Sequence, residues 1–109
     1  MRAARADANQ AEIVKALRQA GCSVQHLHTI GAGCPDILVG LMGSSRLFGF
    51  NGPINVLMEI KDSAKPPSAQ KLTPDEVEWH LAWRGQVCVV NSIDQALAVI
   101  QALRIGERA

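Results

Sequence analysis

The feature that most constrains the fold is an apolar run within residues 86–91, "QVCVVN", which lies between two segments that carry helix-start signals. In the preceding segment, Thr73 occupies an N-cap position and Glu76 follows three residues later, the spacing of a capping box. Ser92 and Gln95 repeat that spacing directly after the run. A strand that is apolar on both sides of its backbone needs cover on both faces of its sheet. The helix–strand–helix order therefore predicts an α/β fold.

The remaining segments supply the other elements. Ile13, Leu17 and Ala20 are spaced as one face of a helix and Gly21 follows as a stop, so a first helix is predicted within residues 7–21. The later segments are predicted as strands at 22–30, 36–42 and 54–61, a loop at 43–53 that can close a hairpin, and a polar, irregular surface segment at 62–72. The predicted order is α-β-β-β-α-β-α, with a central mixed sheet flanked by helices.

Composition excludes several classes of protein. The chain has 109 residues, 48% of them apolar, and a formal net charge of +1. These values fit one domain and exclude a disordered chain or a polybasic nucleic-acid tail. The sequence contains no apolar run of membrane-spanning length and no recognisable secretory signal, so we expect a cytoplasmic protein. Cys22, Cys34 and Cys88 are odd in number and widely spaced, which favours reduced packing residues over disulfides or a zinc site.

The segment "LMEIKDS" places a carboxylate and an ammonium on one face of a strand. Side chains two residues apart in a strand share a face, so Glu59 and Lys61 project together while Met58 and Ile60 point to the other side. Asp36 opens the preceding strand directly after a proline. A hairpin between the two strands would bring Asp36, Glu59 and Lys61 to one end of the sheet.

This combination of side chains indicates a particular chemistry. Two neighbouring carboxylates in a half-buried setting stay ionised only if a cation lies between them. Oxygen ligands favour a hard ion such as Mg²⁺ or Mn²⁺, which keeps several waters and bridges to phosphate. A lysine on the same face can orient the attacking water or offset the negative charge that develops at phosphorus. Together, Asp36, Glu59, Lys61 and a divalent metal predict phosphodiester hydrolysis.

Two motifs carry a resemblance to a known family. "CPDILVG" followed by "LMEIKDS" resembles the PD-(D/E)XK nuclease signature, and the predicted order is similar to the αβββαβ core of the restriction-endonuclease-like fold. With "KLTPDEVEWHLAWRGQVCVV", the chain from about residue 7 to residue 100 is most similar to small stand-alone VRR-NUC nucleases of phages and bacteria, which are related to Holliday junction resolvases.

The resemblance implies a bacterial or phage-encoded nuclease domain over residues 1–109 that cuts DNA, with branched DNA such as a four-way junction as the expected substrate. Asp36 and Glu59 would be the ligands of Mg²⁺ or Mn²⁺, assisted by the backbone carbonyl of Ile60, and Lys61 would be the catalytic lysine. Glu12 matches the first-helix acid that often completes the metal site in these families. Because junction-cutting relatives act as two-fold dimers, a homodimer is also expected.

Each of these residues also has a structural interpretation. Glu59 and Lys61 are compatible with a surface ion pair on an edge strand. Asp36 is compatible with a turn residue that satisfies backbone groups after the glycines. Glu12 is compatible with a solvated helix pair with Lys15. The alternative functions are a catalytically inactive DNA-binding module and a protein-interaction module on the same fold.

Glu76 departs from the family pattern, because the related nucleases usually carry Gln there. A capping box accepts either residue, so a structural role is favoured for Glu76. Lys65 and Lys71 give the polar segment a local surplus of positive charge and are candidates for phosphate-backbone contacts, with a solubilising loop as the alternative. Trp79 and Trp83, four residues apart, are predicted to lie in the core or at an interface.

Two further groups of residues complete the sequence-based predictions. The 43–53 loop holds Leu47, Phe48 and Phe50, which favours a partner surface there or a fold back onto the sheet. The dimer interface is therefore predicted at or near residues 43–54 or the tryptophan helix. The three histidines, His26, His28 and His80, are interpreted as structural.

Overall fold

The computed structural model describes residues 7–45 and 50–104. Within them the chain forms an α/β structure in which three α-helices flank an open, mixed sheet of four strands. The elements, in chain order, are α1 Gln10–Gln19, β1 Ser23–His26, β2 Ile37–Ser45, β3 Phe50–Ile60, a 3₁₀ helix Pro67–Gln70, α2 Pro74–Ala82, β4 Val87–Val90 and α3 Ile93–Arg104. The predicted order of helices and strands is confirmed.

The strands are arranged in the order β1-β2-β3-β4. β1 and β3 each pair antiparallel with β2, whereas β4 runs parallel to β3. A parallel neighbour requires a crossover connection, and α2 lies in that connection between β3 and β4. Since β2 and β3 are consecutive and antiparallel, they form the predicted hairpin between the second and third strands.

The predicted loop at 43–53 is wrong for most of its length. β2 continues to Ser45 and β3 begins at Phe50, so the two strands form a long arm with Gly43 opposite Gly52. The glycines and asparagine of this stretch have low strand propensity, but the cross-strand ladder overrides it. Pro53 is tolerated because β4 pairs only with the Leu57–Ile60 part of β3, which leaves the proline on an unpaired edge.

Part of that arm lies outside the described residues. Leu47 and Phe48 fall between the two described ranges, and the description of Phe50 is limited to its backbone. The interpretation of the three apolar side chains as a partner surface therefore concerns residues that the structure does not describe.

The hydrophobic core lies between one face of the sheet and the helices α1 and α3. Ile13 and Leu17, which define the predicted helical stripe, are fully buried, and Gly21 has the positive φ of +93° that ends the helix. Alternate residues of β2 and β3 form the sheet side of this core, and α3 closes it; the buried members are Ile37, Val39, Leu41, Val56, Met58, Ile60, Ala96 and Ile100. This alternation fixes which β3 side chains face the other way.

The second face of the sheet is covered only in part. α2 lies over it with no fully buried residue of its own, and Val89 of β4 is 43% exposed although Val90 is buried. The prediction that both faces of the fourth strand are covered is therefore correct for one face only, because the face that carries Val89 is left exposed. α2 and this half-covered face together form the candidate site.

Three smaller predictions can also be compared with the structure. The segment 62–72 is polar and mostly exposed as expected, but it contains the 3₁₀ helix Pro67–Gln70. Cys22, Cys34 and Cys88 are free thiols. Among the described residues, no helix is both long and apolar enough to span a membrane.

Candidate functional site

The register of β2 and β3 places Asp36 opposite Glu59. Ile37 pairs with Met58, and the Asp36 amide, one residue earlier, donates to the Met58 carbonyl at 3.1 Å. Directly opposed residues of an antiparallel pair point to the same face. Because Ile37 and Met58 face the core, both carboxylates face α2.

Both carboxylates are buried, and the backbone of β3 holds one of them. Asp36 is 9% exposed and Glu59 is 3% exposed. Asp36 Oδ2 accepts a hydrogen bond of 2.7 Å from the amide of Ile60. The interpretation of Asp36 as a simple turn residue therefore does not describe its environment, since its side chain bonds across the sheet to β3 rather than to its own turn.

Lys61 continues the same face of β3, directly beyond its last residue. Its side chain is 10% exposed, and Nζ lies 3.8 Å from Glu59 Oε2 and 2.8 Å from Glu76 Oε1. A surface ion pair between Glu59 and Lys61 is therefore not what the structure contains. The lysine is buried between two carboxylates, and its close partner is the residue on α2.

Glu76 has two roles, of which the sequence revealed one. The predicted capping box is present: the Thr73 hydroxyl accepts from the Glu76 amide at 3.3 Å, and Glu76 Oε1 accepts from the Thr73 amide at 2.8 Å. The same oxygen also accepts from Lys61. Sequence reasoning missed this second contact because the cap alone accounted for the residue.

A glycine turn sets the approach of α2 to the sheet. Gly31, Ala32 and Gly33 all have positive φ values, and a side chain at Gly33 would collide with the backbone carbonyl of Asp75. The turn therefore packs directly against the first turn of α2. This contact holds Glu76 over the ends of β2 and β3, where it reaches Lys61.

The electrostatics of the two buried carboxyls are unusual. Burial, reinforced by the neighbouring Asp36 carboxyl, raises the pKa of Glu59 to about 10. Burial also raises the pKa of Asp36, although the Glu59 carboxyl and the Ile60 amide oppose the shift. Asp36 and Glu59 therefore lie together with raised pKa values, and the ammonium of Lys61 beside them is already paired with Glu76.

Lys61 and Glu76 stabilise each other's charge. Burial alone would lower the pKa of Lys61, but the hydrogen bond and charge of Glu76, with the charge of Glu59, hold it above its usual value. Burial alone would raise the pKa of Glu76, but Lys61 and the Thr73 amide hold it below its usual value. At neutral pH this pair is a lysinium and a carboxylate.

The residues present fit a hard divalent cation. Glu59 Oε1 is buried and has no hydrogen-bond partner among the described residues. Asp36, Glu59 and the carbonyl of Ile60 are the oxygen donors that Mg²⁺ or Mn²⁺ prefers, and such ions commonly use one or two carboxylates together with water and phosphate. In the described part of the chain, no group of three or more His, Cys, Asp or Glu residues is arranged to hold a metal. The fit is therefore to a two-carboxylate site that is completed by water and substrate.

The predicted contribution of Glu12 is not supported. Ile13 and Val14 turn towards the core, and this leaves Glu12 exposed on the outer side of α1, with no described contact to Asp36 or Glu59. The acid that approaches the site from this end of the chain is Asp7, whose charge raises the pKa of Asp36.

Lys65 and Lys71 flank the 3₁₀ helix and are both exposed. Lys65 Nζ lies 2.9 Å from Asp7 Oδ1. Burial of both partners in this pair is incomplete, so the contact is weak in water and leaves the ammonium accessible. Both lysines therefore remain on the surface that continues from Lys61.

The N-terminus of α1 supports the site from the core side. Asn9 Nδ2 donates to the carbonyls of Lys61 and Asn91 at 3.0 and 3.3 Å and so ties the end of β3 to the residue that follows β4. The next residue, Gln10, has its amide nitrogen 3.0 Å from His26 Nδ1 and 3.1 Å from His28 Nδ1. The two histidines are thus held as a pair by a buried amide, a contact that their sequence positions did not reveal.

Comparisons with known proteins give no relative: no family model, curated protein or solved structure matches the chain. The chemistry of the site therefore has to be inferred from its own residues.

Proposed function

We propose that the chain is a Mg²⁺- or Mn²⁺-dependent endodeoxyribonuclease on a restriction-endonuclease-like core, with Asp36, Glu59 and Lys61 as its catalytic residues. One observation carries the proposal. Two buried carboxyls oppose each other across β2 and β3, while the buried lysine beside them is paired to a third acid. Because burial raises the pKa of both carboxyls and Lys61 is already paired to Glu76, the two carboxyls would be ionised together at neutral pH only with a further cation bound.

Asp36 and Glu59, with the Ile60 carbonyl, would hold the divalent ion. When bound, the ion would neutralise phosphate charge and lower the pKa of a water molecule. Lys61 is charged and buried, so it can donate a hydrogen bond to a phosphate oxygen where negative charge develops. Glu76 positions Lys61 and keeps it protonated, which makes it a positioning residue. Lys65 and Lys71 are placed to contact the sugar–phosphate backbone beyond the site.

The expected substrate is branched DNA such as a four-way junction, and the expected assembly is a homodimer, as the resemblance implies. A symmetric dimer supplies two sites for two nicks. We place the dimer contact on the described residues 43–45 and 50–54 of β2 and β3, because β4 pairs only with the Leu57–Ile60 part of β3 and leaves this part of β3 without a partner strand on that side.

One observation favours a catalytically inactive module instead. The 2.8 Å contact between Lys61 and Glu76 occupies the lysine that the mechanism requires. A stable ion pair there would make Asp36 and Glu59 remnants of a site on a DNA-binding protein. The nuclease proposal requires that Lys61 also reaches phosphate while it contacts Glu76, which its several N–H donors permit.

The test is a cutting assay with purified protein and Mn²⁺ on linear duplex, a flap and a four-way junction. Asp36→Asn and Glu59→Gln should abolish cutting and remove the increase in melting temperature that Mn²⁺ produces in the parent. Glu12→Gln is the matched control, since it removes an exposed acid and should change neither property. If the parent cuts none of the substrates and Mn²⁺ does not stabilise it, the nuclease proposal is wrong.

A further inference from the structure

A cavity of about 570 Å³ lies between α2 and the half-covered face of the sheet. Its lining residues are Leu27, Cys34, Leu38, Asn55, Leu57, Trp79, Trp83, Gly85 and Gln86. The volume falls within the usual range of small-ligand pockets, and the walls are mainly apolar with a few polar groups, as in such pockets. We call this feature the tryptophan cleft.

The tryptophan cleft adjoins the carboxyl pair. Leu38 and Leu57 pair across β2 and β3 and are the next same-face pair after Asp36 and Glu59. Two residues along a strand correspond to about 7 Å, roughly the distance from a phosphate to the base of the same nucleotide. Cys34, which lines the cleft, lies two residues before Asp36 in the chain.

The aromatic wall of the cleft is accessible to a ligand. Trp79 and Trp83 stack with ring centroids 4.7 Å apart and an interplanar angle of 19°. Trp83 is 46% exposed, and Gly85 leaves room for its indole, since a side chain there would crowd the indole nitrogen. Of the predicted core or interface position, the core is therefore wrong for Trp83 and the interface stays a prediction. α2 contains no buried residue.

We propose that the tryptophan cleft binds one unstacked nucleobase next to the phosphate that a divalent ion at Asp36 and Glu59 would hold. The inference rests on the proposed nuclease function and specifies its substrate class as DNA with an unpaired base beside the scissile bond. The indoles offer flat apolar surface for stacking, which tolerates any base. Asn55 and Gln86 line the same cavity and can hydrogen-bond to base edges.

This assignment explains why the protein would act on branched DNA. A base in a continuous duplex cannot enter a pocket without being unstacked and unpaired, whereas a base at a junction or in a single strand enters at little cost. A pocket beside the reacting phosphate therefore selects for DNA structure without reading sequence. The cleft must be open for this purpose, so the proposed dimer contact lies on the β2–β3 arm and not on α2.

Intrinsic fluorescence offers a direct test, because the chain has only two tryptophans and both line the cleft. Labelled oligonucleotides are titrated with protein in EDTA, and label anisotropy reports total DNA binding while tryptophan emission reports cleft occupancy. A single strand and a four-way junction should change the emission, and a blunt duplex should bind with little change. An abasic site scanned along the single strand should weaken binding about tenfold at one position, the scale of one lost base–aromatic stack.

Variants of α2 distinguish stacking from a structural role. Trp83→Ala should weaken binding of the intact strand about tenfold. The variant and the parent should bind equally well to the strand whose abasic site weakens parent binding, because the missing base and the missing indole remove the same contact. Trp83→Phe should retain most of the binding. Leu81→Ala is the matched control, since Leu81 lies on the same helix, is 82% exposed and does not line the cleft.

The outcomes separate the two proposals. DNA binding by anisotropy without a change in emission, or equal loss for the intact and abasic strands in Trp83→Ala, would overturn the cleft assignment and leave the nuclease proposal standing. Emission that changes with protein concentration alone, together with a dimer in sedimentation, would assign the cleft to a second copy of the chain. Absence of DNA binding in every titration would overturn the cleft assignment, and the cutting assay with Mn²⁺ would decide the nuclease proposal separately.

Discussion

Replacement of Glu59 by glutamine should stabilise the cation-free protein at alkaline pH. Glu59 is 3% exposed, its Oε1 has no hydrogen-bond partner among the described residues, and its pKa is raised from 4.5 to about 10. Gln has nearly the shape of a protonated Glu but never ionises. The variant therefore removes the unfavourable ionisation and keeps the packing.

The magnitude follows from proton linkage. Between pH 4.5 and about 10 the folded chain keeps a proton on Glu59 that the unfolded chain releases, so the free energy of unfolding falls as pH rises through this window. One proton corresponds to ~1.4 kcal/mol per pH unit, so the parent should lose up to about 3 kcal/mol between pH 5.5 and pH 8 relative to Glu59→Gln. The Lys61–Glu76 pair does not contribute to this slope, since Lys61 titrates above the interval and Glu76 below it.

The assay is urea unfolding of parent and variant in EDTA at several pH values from 5.5 to 8, repeated with Mn²⁺. In EDTA the variant should be the more stable protein by ~1.4 kcal/mol at pH 5.5, and this difference should increase by about 3 kcal/mol at pH 8. Mn²⁺ should stabilise the parent alone. Glu12→Gln should show no pH-dependent difference from the parent. A variant that is less stable than the parent at pH 8 in EDTA would show that Glu59 stabilises the fold through Lys61, and the buried-acid reasoning would be refuted.

Three further predictions concern the same surface. Lys61→Ala should lower the cutting rate about 10²–10³-fold in single-turnover assays, with little change in Mn²⁺ or DNA affinity. The control Lys15→Ala removes an exposed lysine of α1 and should leave the cutting rate unchanged. Glu76→Gln should retain both the cap and cutting, because an amide oxygen can accept from Thr73 and Lys61; loss of cutting with an unchanged melting temperature would assign Glu76 an essential charge. Gly33→Ala should destabilise the protein by more than ~1 kcal/mol in urea unfolding, because φ is +82° and the methyl group meets the Asp75 carbonyl, while Gly31→Ala, which meets no atom within 4 Å, should cost less.

Local patterns in the sequence determined several features of this protein. The stripe of Ile13 and Leu17 with its terminal glycine predicted α1, and the Thr73–Glu76 spacing predicted the start of α2. The alternation along β3 separated Glu59 and Lys61 from the core residues. These features depend on residues at most a few positions apart, where helix period, capping and strand alternation act.

Other features depended on contacts between distant segments. The register of β2 and β3 decided that Asp36 opposes Glu59, and the glycine turn against α2 decided that Glu76 reaches Lys61 from 15 positions away. Local strand propensity wrongly predicted a loop at 43–53. The nine residue pairs between β2 and β3 outweighed the low strand propensity of the glycines and asparagine there.

Burial was likewise decided only by the tertiary structure. The packing of Ile13 and Val14 into the core left Glu12 exposed, and the packing of α1 and α3 against one face of the sheet left α2 on the opposite face. Glu59 is buried only in the folded chain, where Asp36, Lys61 and Glu76 are its charged neighbours. Its raised pKa exists only in the folded protein, since in the unfolded chain water solvates the same carboxylate.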